Sequence, residues 1–306
     1  MLFFEDVQKF VLSDINIHVP QGISLGLIGP SGSGKTTFLK LACGLLKPTT
    51  GSIHIMGRIP VKKRRELGSM MGAFFADLPF FQEADTVEGN FRDRKCIYRM
   101  EDAVFEKEYA ELSERLDFRS FEKEQVKQLS LGQRRRAELG ALFLTKPKLL
   151  LLDEPYEGLD QIGKDSLREL LVQRQAEGLT FVISSHNMEE ISALCDRIAL
   201  LDQGSLRYYG DRELLLKHFA PNEVMEISFS GNLPDLEDLP LKRYTLQQNK
   251  LTLTYNANYV TSAELLAHIL EQTTVTAVTT RKSGLADAVT GLAAGMGKTT
   301  GKEEGE

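Results

Sequence analysis

The chain has 306 residues, 42% hydrophobic and 26% charged, with 43 acidic against 37 basic side chains and a net charge of -6. That length accommodates one large domain and a smaller appendage, and that balance excludes wholesale disorder, collagen-like repeats and coiled-coil rods. No apolar stretch approaches the roughly 20 residues of a membrane-spanning helix, and residues 1–6 carry neither a basic n-region nor a cleavage site, so neither a membrane span nor secretion is expected.

Residues 15–19 and 24–28 read as short apolar strands parted by the turn Pro20-Gln21-Gly22. The second runs straight into a glycine-rich loop. Beyond it, apolar residues recur at helical spacing from Phe38 to Leu46 and stop at Pro48, so a parallel α/β core opens here. Residues 100–126 carry a narrow apolar stripe among many charges, which predicts surface helices. Residues 148–152 are a continuous apolar run ending in Asp153-Glu154-Pro155, as a strand buried on both faces reads where it surfaces. Residues 179–184 repeat that pattern, helices are predicted over 162–176 and 188–196, and the core is expected to close near residue 218. Beyond it, strands are predicted over 223–230, 250–255 and 275–279 with a helix over 263–271, an α+β appendage of residues 219–294. Residues 295–306 lack apolar periodicity and are expected to be disordered. The basic runs 62–65 and 134–136 read as solvated helix faces, and no nucleic-acid partner is expected. Cys43, Cys96 and Cys195, widely spaced and without a C-x-x-C pair, read as buried structural thiols.

Gly29-Pro30-Ser31-Gly32-Ser33-Gly34-Lys35-Thr36 satisfies G-x-x-x-x-G-K-[ST] in full, and Thr37 follows it. Glycines let consecutive backbone N–H groups turn inward around phosphate oxygens, and the helix behind them adds its positive N-terminus. Lys35 is then placed to reach the β- and γ-phosphates of a nucleotide, and the Thr36 hydroxyl to ligate Mg2+. Asp153, at the end of an apolar strand, suits the same ion; Glu154 beside it suits a base facing the water that attacks the γ-phosphate.

With these two motifs, Leu129-Ser130-Leu131-Gly132-Gln133, Gly158-Leu159-Asp160 and Ser185-His186 make the sequence, over residues 2–217, resemble an ATP-binding cassette (ABC) ATPase. They are similar to that family's L-S-G-G-Q signature, its D-loop and its switch histidine. The resemblance implies a P-loop NTPase core of ABC type with a helical signature subdomain at about 90–145. It also implies ATP and Mg2+ as ligands and two cassettes, a homodimer or a paired ATPase subunit, that sandwich ATP, with Ser130, Gly132, Gln133 and Asp160 serving the partner's nucleotide. Catalysis then falls to Lys35, Glu154 and His186; Ser130 and the N–H groups near Gly132, at a helix N-terminus, suit a γ-phosphate on physical grounds too. Three departures from the family pattern stand out. Phe10 is the nearest candidate for the adenine-stacking aromatic, with a place in the core as its other reading. Leu131 replaces a glycine, as in the L-S-L-G-Q-R form of one bacterial exporter subfamily. Asp77 occupies the Q-loop glutamine's place and is read either as a metal ligand or as a solvent-facing residue whose role has passed to another, such as Gln82. The ending 283–289 is similar to the C-terminal extension of ABC-2 type exporter ATPases. The expected protein is the cytoplasmic ATPase subunit of a bacterial exporter, held at the inner face of the membrane by a permease that is a separate chain. A soluble cassette acting on ribosomes or DNA, and a binding subunit without hydrolysis, are its rivals.

Overall fold

The computed structural model describes residues 2–299 apart from Pro79 and Asp238. Its first strand, β1 (Leu2–Lys9), alternates only as far as Phe4. A register shift before Val7, with Asp6 at φ 47°, returns Val7 to the core face, and that slip hides the strand from a period-two search. β2 (Leu12–Val19), β3 (Ser24–Ile28) and the glycine loop lead into α1 (Lys35–Ala42). β4 (Thr50–Ile55), α2 (Arg64–Gly68) and β5 (Met71–Phe75) follow. The helical part comes next, with α3 (Val87–Tyr98), α4 (Asp102–Arg115) and α5 (Leu131–Phe143), then β6 (Leu149–Asp153), α6 (Gln161–Ala176), β7 (Thr180–Ser184), α7 (Met188–Leu194), β8 (Arg197–Asp202) and β9 (Ser205–Asp211). These strands form one nine-stranded sheet in the order β4-β1-β2-β9-β8-β3-β7-β6-β5, antiparallel where β1 meets β2 and β4 and parallel through β8-β3-β7-β6-β5. β6 lies between β5 and β7 with its leucines fully buried, each worth roughly 2 kcal/mol of apolar burial, so this strand is fixed in place and delivers its acids to the carboxyl end of the parallel strands.

The helical part is built on rings. Phe91 of α3 stacks on Phe118 at 5.1 Å and meets Tyr109 of α4 edge-on at 5.0 Å, while Phe105 stacks on Tyr109 at 5.5 Å. α5 begins at Ser130 because a capping box closes there: the Ser130 hydroxyl accepts the Gln133 N–H and the Gln133 side chain accepts the Ser130 N–H.

The chain divides into two compact units at Gly210/Asp211, upstream of the expected boundary near residue 218. The reason is α8 (Arg212–Phe219), which packs against α10 (Leu285–Thr299) through buried Leu215, Leu285, Ala288 and Leu292. Between these helices come β10 (Asn222–Ser230), β11 (Leu241–Gln247), β12 (Lys250–Asn256), α9 (Ser262–Leu270) and β13 (Thr274–Arg281). The four strands make an antiparallel sheet, β11-β12-β10-β13, whose Met225, Ile227, Leu253 and Tyr255 share a core with Leu265 and Ile269 of α9. α10 carries helix through Thr299, so disorder does not begin at 295 as expected; the rest of that expectation, 300–306, lies outside the described residues. Among the described residues no helix is long and apolar enough to cross a membrane.

Two readings of residue types need correction. Cys43 and Cys195 are buried, but Cys96 is exposed, because it sits about 140° round α3 from buried Phe91 at 3.6 residues per turn. The run 62–65 is exposed as expected, whereas 134–136 is not a solvated face. Arg134 and Arg135 flank fully buried Glu138 at 2.9 and 3.0 Å, Arg134 also reaches Glu83, and Arg136 pairs with Asp117 at 2.6 Å. The bond to Glu138 holds the Arg134 guanidinium above its ordinary range.

Candidate active site

The glycine loop closes only around glycine. At φ 146°, Gly29 occupies backbone space that side chains avoid, and a Cβ there would stand 2.0 Å from the Leu201 carbonyl oxygen. Lys35 folds back over the loop, its Nζ donating to the carbonyls of Gly29 (2.8 Å) and Pro30 (3.2 Å). Ser33 is buried and its hydroxyl has no hydrogen-bond partner. A cation on two loop carbonyls and an unsatisfied buried hydroxyl are groups suited to an anion such as phosphate. Ser31, Gly32, Gly34, Lys35, Thr36 and Thr37 line one cleft with Asp153, Glu154 and Val11.

Parallel pairing of β6 with β7 sets Asp153 beside Ser184, whose hydroxyl donates to Asp153 Oδ1 at 2.6 Å. Thr36 donates to the other oxygen, Oδ2, at 2.7 Å, so the first turn of α1 and the end of β6 are joined through one carboxylate. Hydroxyl plus carboxylate is a hard oxygen pair that fits a magnesium ion already carried by phosphates. Among the described residues no group of three or more His, Cys, Asp or Glu could hold a metal alone. Ser184 has a second task, since its hydroxyl also accepts the Glu154 N–H at 3.0 Å. Glu154 is held at φ 47°, and its Oε2 accepts from the His186 N–H at 3.3 Å and lies 3.0 Å from His186 Nδ1. Glu154 and His186 are therefore in contact. Motif reading missed Ser184, whose signal is only a hydroxyl at the end of an apolar strand.

The signature residues stand elsewhere. Ser130 and Gln133 are engaged in the cap of α5, and Leu131, 58% exposed, lies against Gly158 at φ 80°, where a Cβ would fall 2.9 Å from Leu131 Cδ2. Gly132 likewise faces the Gly158 carbonyl. Asp160 caps α6, its Oδ1 accepting the Gly163 N–H at 2.9 Å. None of these residues lines the phosphate cleft. Phe10, 77% exposed and with the Lys9 ammonium 4.6 Å from its ring centre, is not a core residue. Asp77 is paired with Lys40 of α1 at 3.1 Å and lines a separate hollow with Leu131, Arg134 and Arg135. Gln82 NH2 bonds Asp93 at 3.3 Å instead of turning to the cleft.

A family model described as "ABC transporter" matches residues 12–157. The lantibiotic transport ATP-binding protein SrtF of Streptococcus pyogenes is 32% identical over 226 residues, 74% of this chain and 92% of that protein. The chain belongs to the ABC transporter ATP-binding family. The spermidine/putrescine import ATP-binding protein PotA of Mesoplasma florum is also similar to this ABC cassette, at 31% identity over 75% of this chain and 65% of that protein. A solved ATP-binding subunit of an ABC transporter superposes with a TM-score of 0.67 at 25% identity, covering 71% of this chain and 92% of its own. ATP is thus the nucleotide and ATP hydrolysis the reaction of this ABC cassette.

Proposed function

We propose that the chain is the ATP-hydrolysing subunit of a bacterial exporter, that two cassettes close around ATP, and that closure drives a membrane permease that is a separate chain. The observation that carries this reading is the separation of the signature from the phosphate cleft. Ser130, Leu131 and Gly132 open an exposed helix N-terminus that serves no part of the chain's own phosphate cleft, so a second cassette is needed to complete the site. Export is supported by Leu131 within L-S-L-G-Q-R and by the α+β unit after Gly210, both similar to exporter ATPases. The permease holds the chain at the inner face of the membrane.

In the reaction, the loop N–H groups and Lys35 bind the β- and γ-phosphates, with Lys35 leaving its two carbonyl partners to do so. Thr36 and Asp153 would hold magnesium, which neutralises phosphate charge. Glu154 takes the proton of the attacking water on its carboxylate, and His186 orients that carboxylate through its backbone N–H while its ring turns to donate to the γ-phosphate. Phe10 offers an exposed ring to adenine. Glu154→Gln preserves size and the contact with His186 but cannot accept the proton. ATP binding should persist, turnover should fall by about 100-fold or more, and ATP-bound dimers should accumulate on a sizing column. Wild-type turnover, or a variant that stays monomeric with ATP, overturns the reading.

A further inference from the structure

The loop that carries His186 is tied to α6 through Glu190 and Lys164, to which the motifs assign no part. Ser185 is 1% exposed, and its hydroxyl donates to Glu190 Oε2 at 2.8 Å while accepting the Asn187 N–H at 3.0 Å. A hydroxyl used in both directions cannot rotate freely. The other oxygen of Glu190, Oε1, takes the Lys164 ammonium at 3.1 Å. Lys164 stands in the first turn of α6, and its own N–H closes on the carbonyl of Asp160, the residue that caps this helix. One residue beyond Ser185, the N–H and ring of His186 meet Glu154. Tyr156, in the loop just after Glu154, buries its unpartnered hydroxyl in the same hollow as Lys164 and Glu190. Burial, then the charge of Glu190, pushes its phenol up, so it stays protonated and adds no charge to the network.

We propose that Glu190 and Lys164 are positioning residues for hydrolysis, fixing residues 185–187 so that His186 holds Glu154 in register and linking that register to the segment ending at Asp160. This rests on the ATPase reading above. Both oxygens of Glu190 are committed, one to each side, so a change at either end reaches the other without an intermediate rearrangement. Lys164 is 36% and Glu190 16% exposed, so water on the lysine side and the Ser185 hydroxyl on the glutamate side remain to satisfy whichever partner is left, which limits the cost to folding. Loss of the pair should therefore register in the reaction before it registers in folding.

The test uses the full chain as wild type, Lys164→Met, Glu190→Gln and Lys164→Arg, measuring ATP turnover against ATP concentration, affinity for a fluorescent ATP analogue, and thermal midpoint. Lys164→Met and Glu190→Gln should each lower kcat roughly tenfold, the penalty of a misplaced catalytic group, with KM, affinity and midpoint unchanged. Lys164→Arg, which keeps the cation, should retain kcat. Unaltered kcat in both neutral variants, or kcat, affinity and midpoint falling together, would overturn the positioning role. Absence of turnover in the wild type would sink the ATPase reading itself.

Discussion

Lys35 and Ser184 show what a single side chain contributes to this site and how unequally the two can be read. The eight positions of the glycine loop are contiguous, because cradling one phosphate demands successive N–H groups, and that demand is written in the order of residues. Ser184 and Glu190 are defined by partners 31 and 26 positions away, at Asp153 and Lys164, and nothing local marks them. His186 lay between these cases, legible only because it follows a buried strand. Lys35→Ala removes the ammonium that rests on the loop. A hydrogen bond to a charged group is worth roughly 1.5–3 kcal/mol, so ATP affinity should fall by about tenfold or more, a change that calorimetry would measure directly. Unchanged affinity would take Lys35 out of the phosphate contacts.

At the scale of elements, the strands and helices that read correctly were those whose burial is uniform along their length, such as β6, or whose apolar stripe is uninterrupted, such as α6. β1 escaped because its bulge shifts the face midway, and β11 because exposure dominates it from Lys242 to Gln247. The turn after β5 shows a subtler limit. Asp77 occupies a loop position that sequence alone leaves open, and the structure ties it to α1 through Lys40. With Asp77 61% exposed, the pair contributes at most about 1 kcal/mol. Asp77→Gln should accordingly leave the thermal midpoint within a few degrees of wild type, and ATP binding with and without magnesium should be the same in both proteins. Tighter magnesium-free binding by the variant would instead put this carboxylate among the phosphate contacts.

For the whole molecule, the fold class was legible because the strand, glycine loop and helix follow one another without a gap, whereas the boundary between units was not. A composition break falls near His218, yet α8 lies on the far side of the division because its partner, α10, is some seventy residues further on. A chain ending at Gly210 should fold and bind ATP, since every cleft residue precedes that point. Circular dichroism and equilibrium binding on that fragment would show it; a folded fragment without affinity would mean that the boundary or the assignment of these cleft residues is wrong. The two basic runs carry one more consequence, for peptide mapping. Residues 62–65 are exposed where the chain enters a five-residue helix, while 134–136 are locked into Glu138, Glu83 and Asp117 within a longer one. Trypsin cleaves segments that can leave the structure cheaply. A timed digest should therefore cut at Lys62 or Lys63 well before it opens any bond between Arg134 and Arg136, and the arginine-rich stretch should survive inside a large fragment for as long as the helical part stays folded.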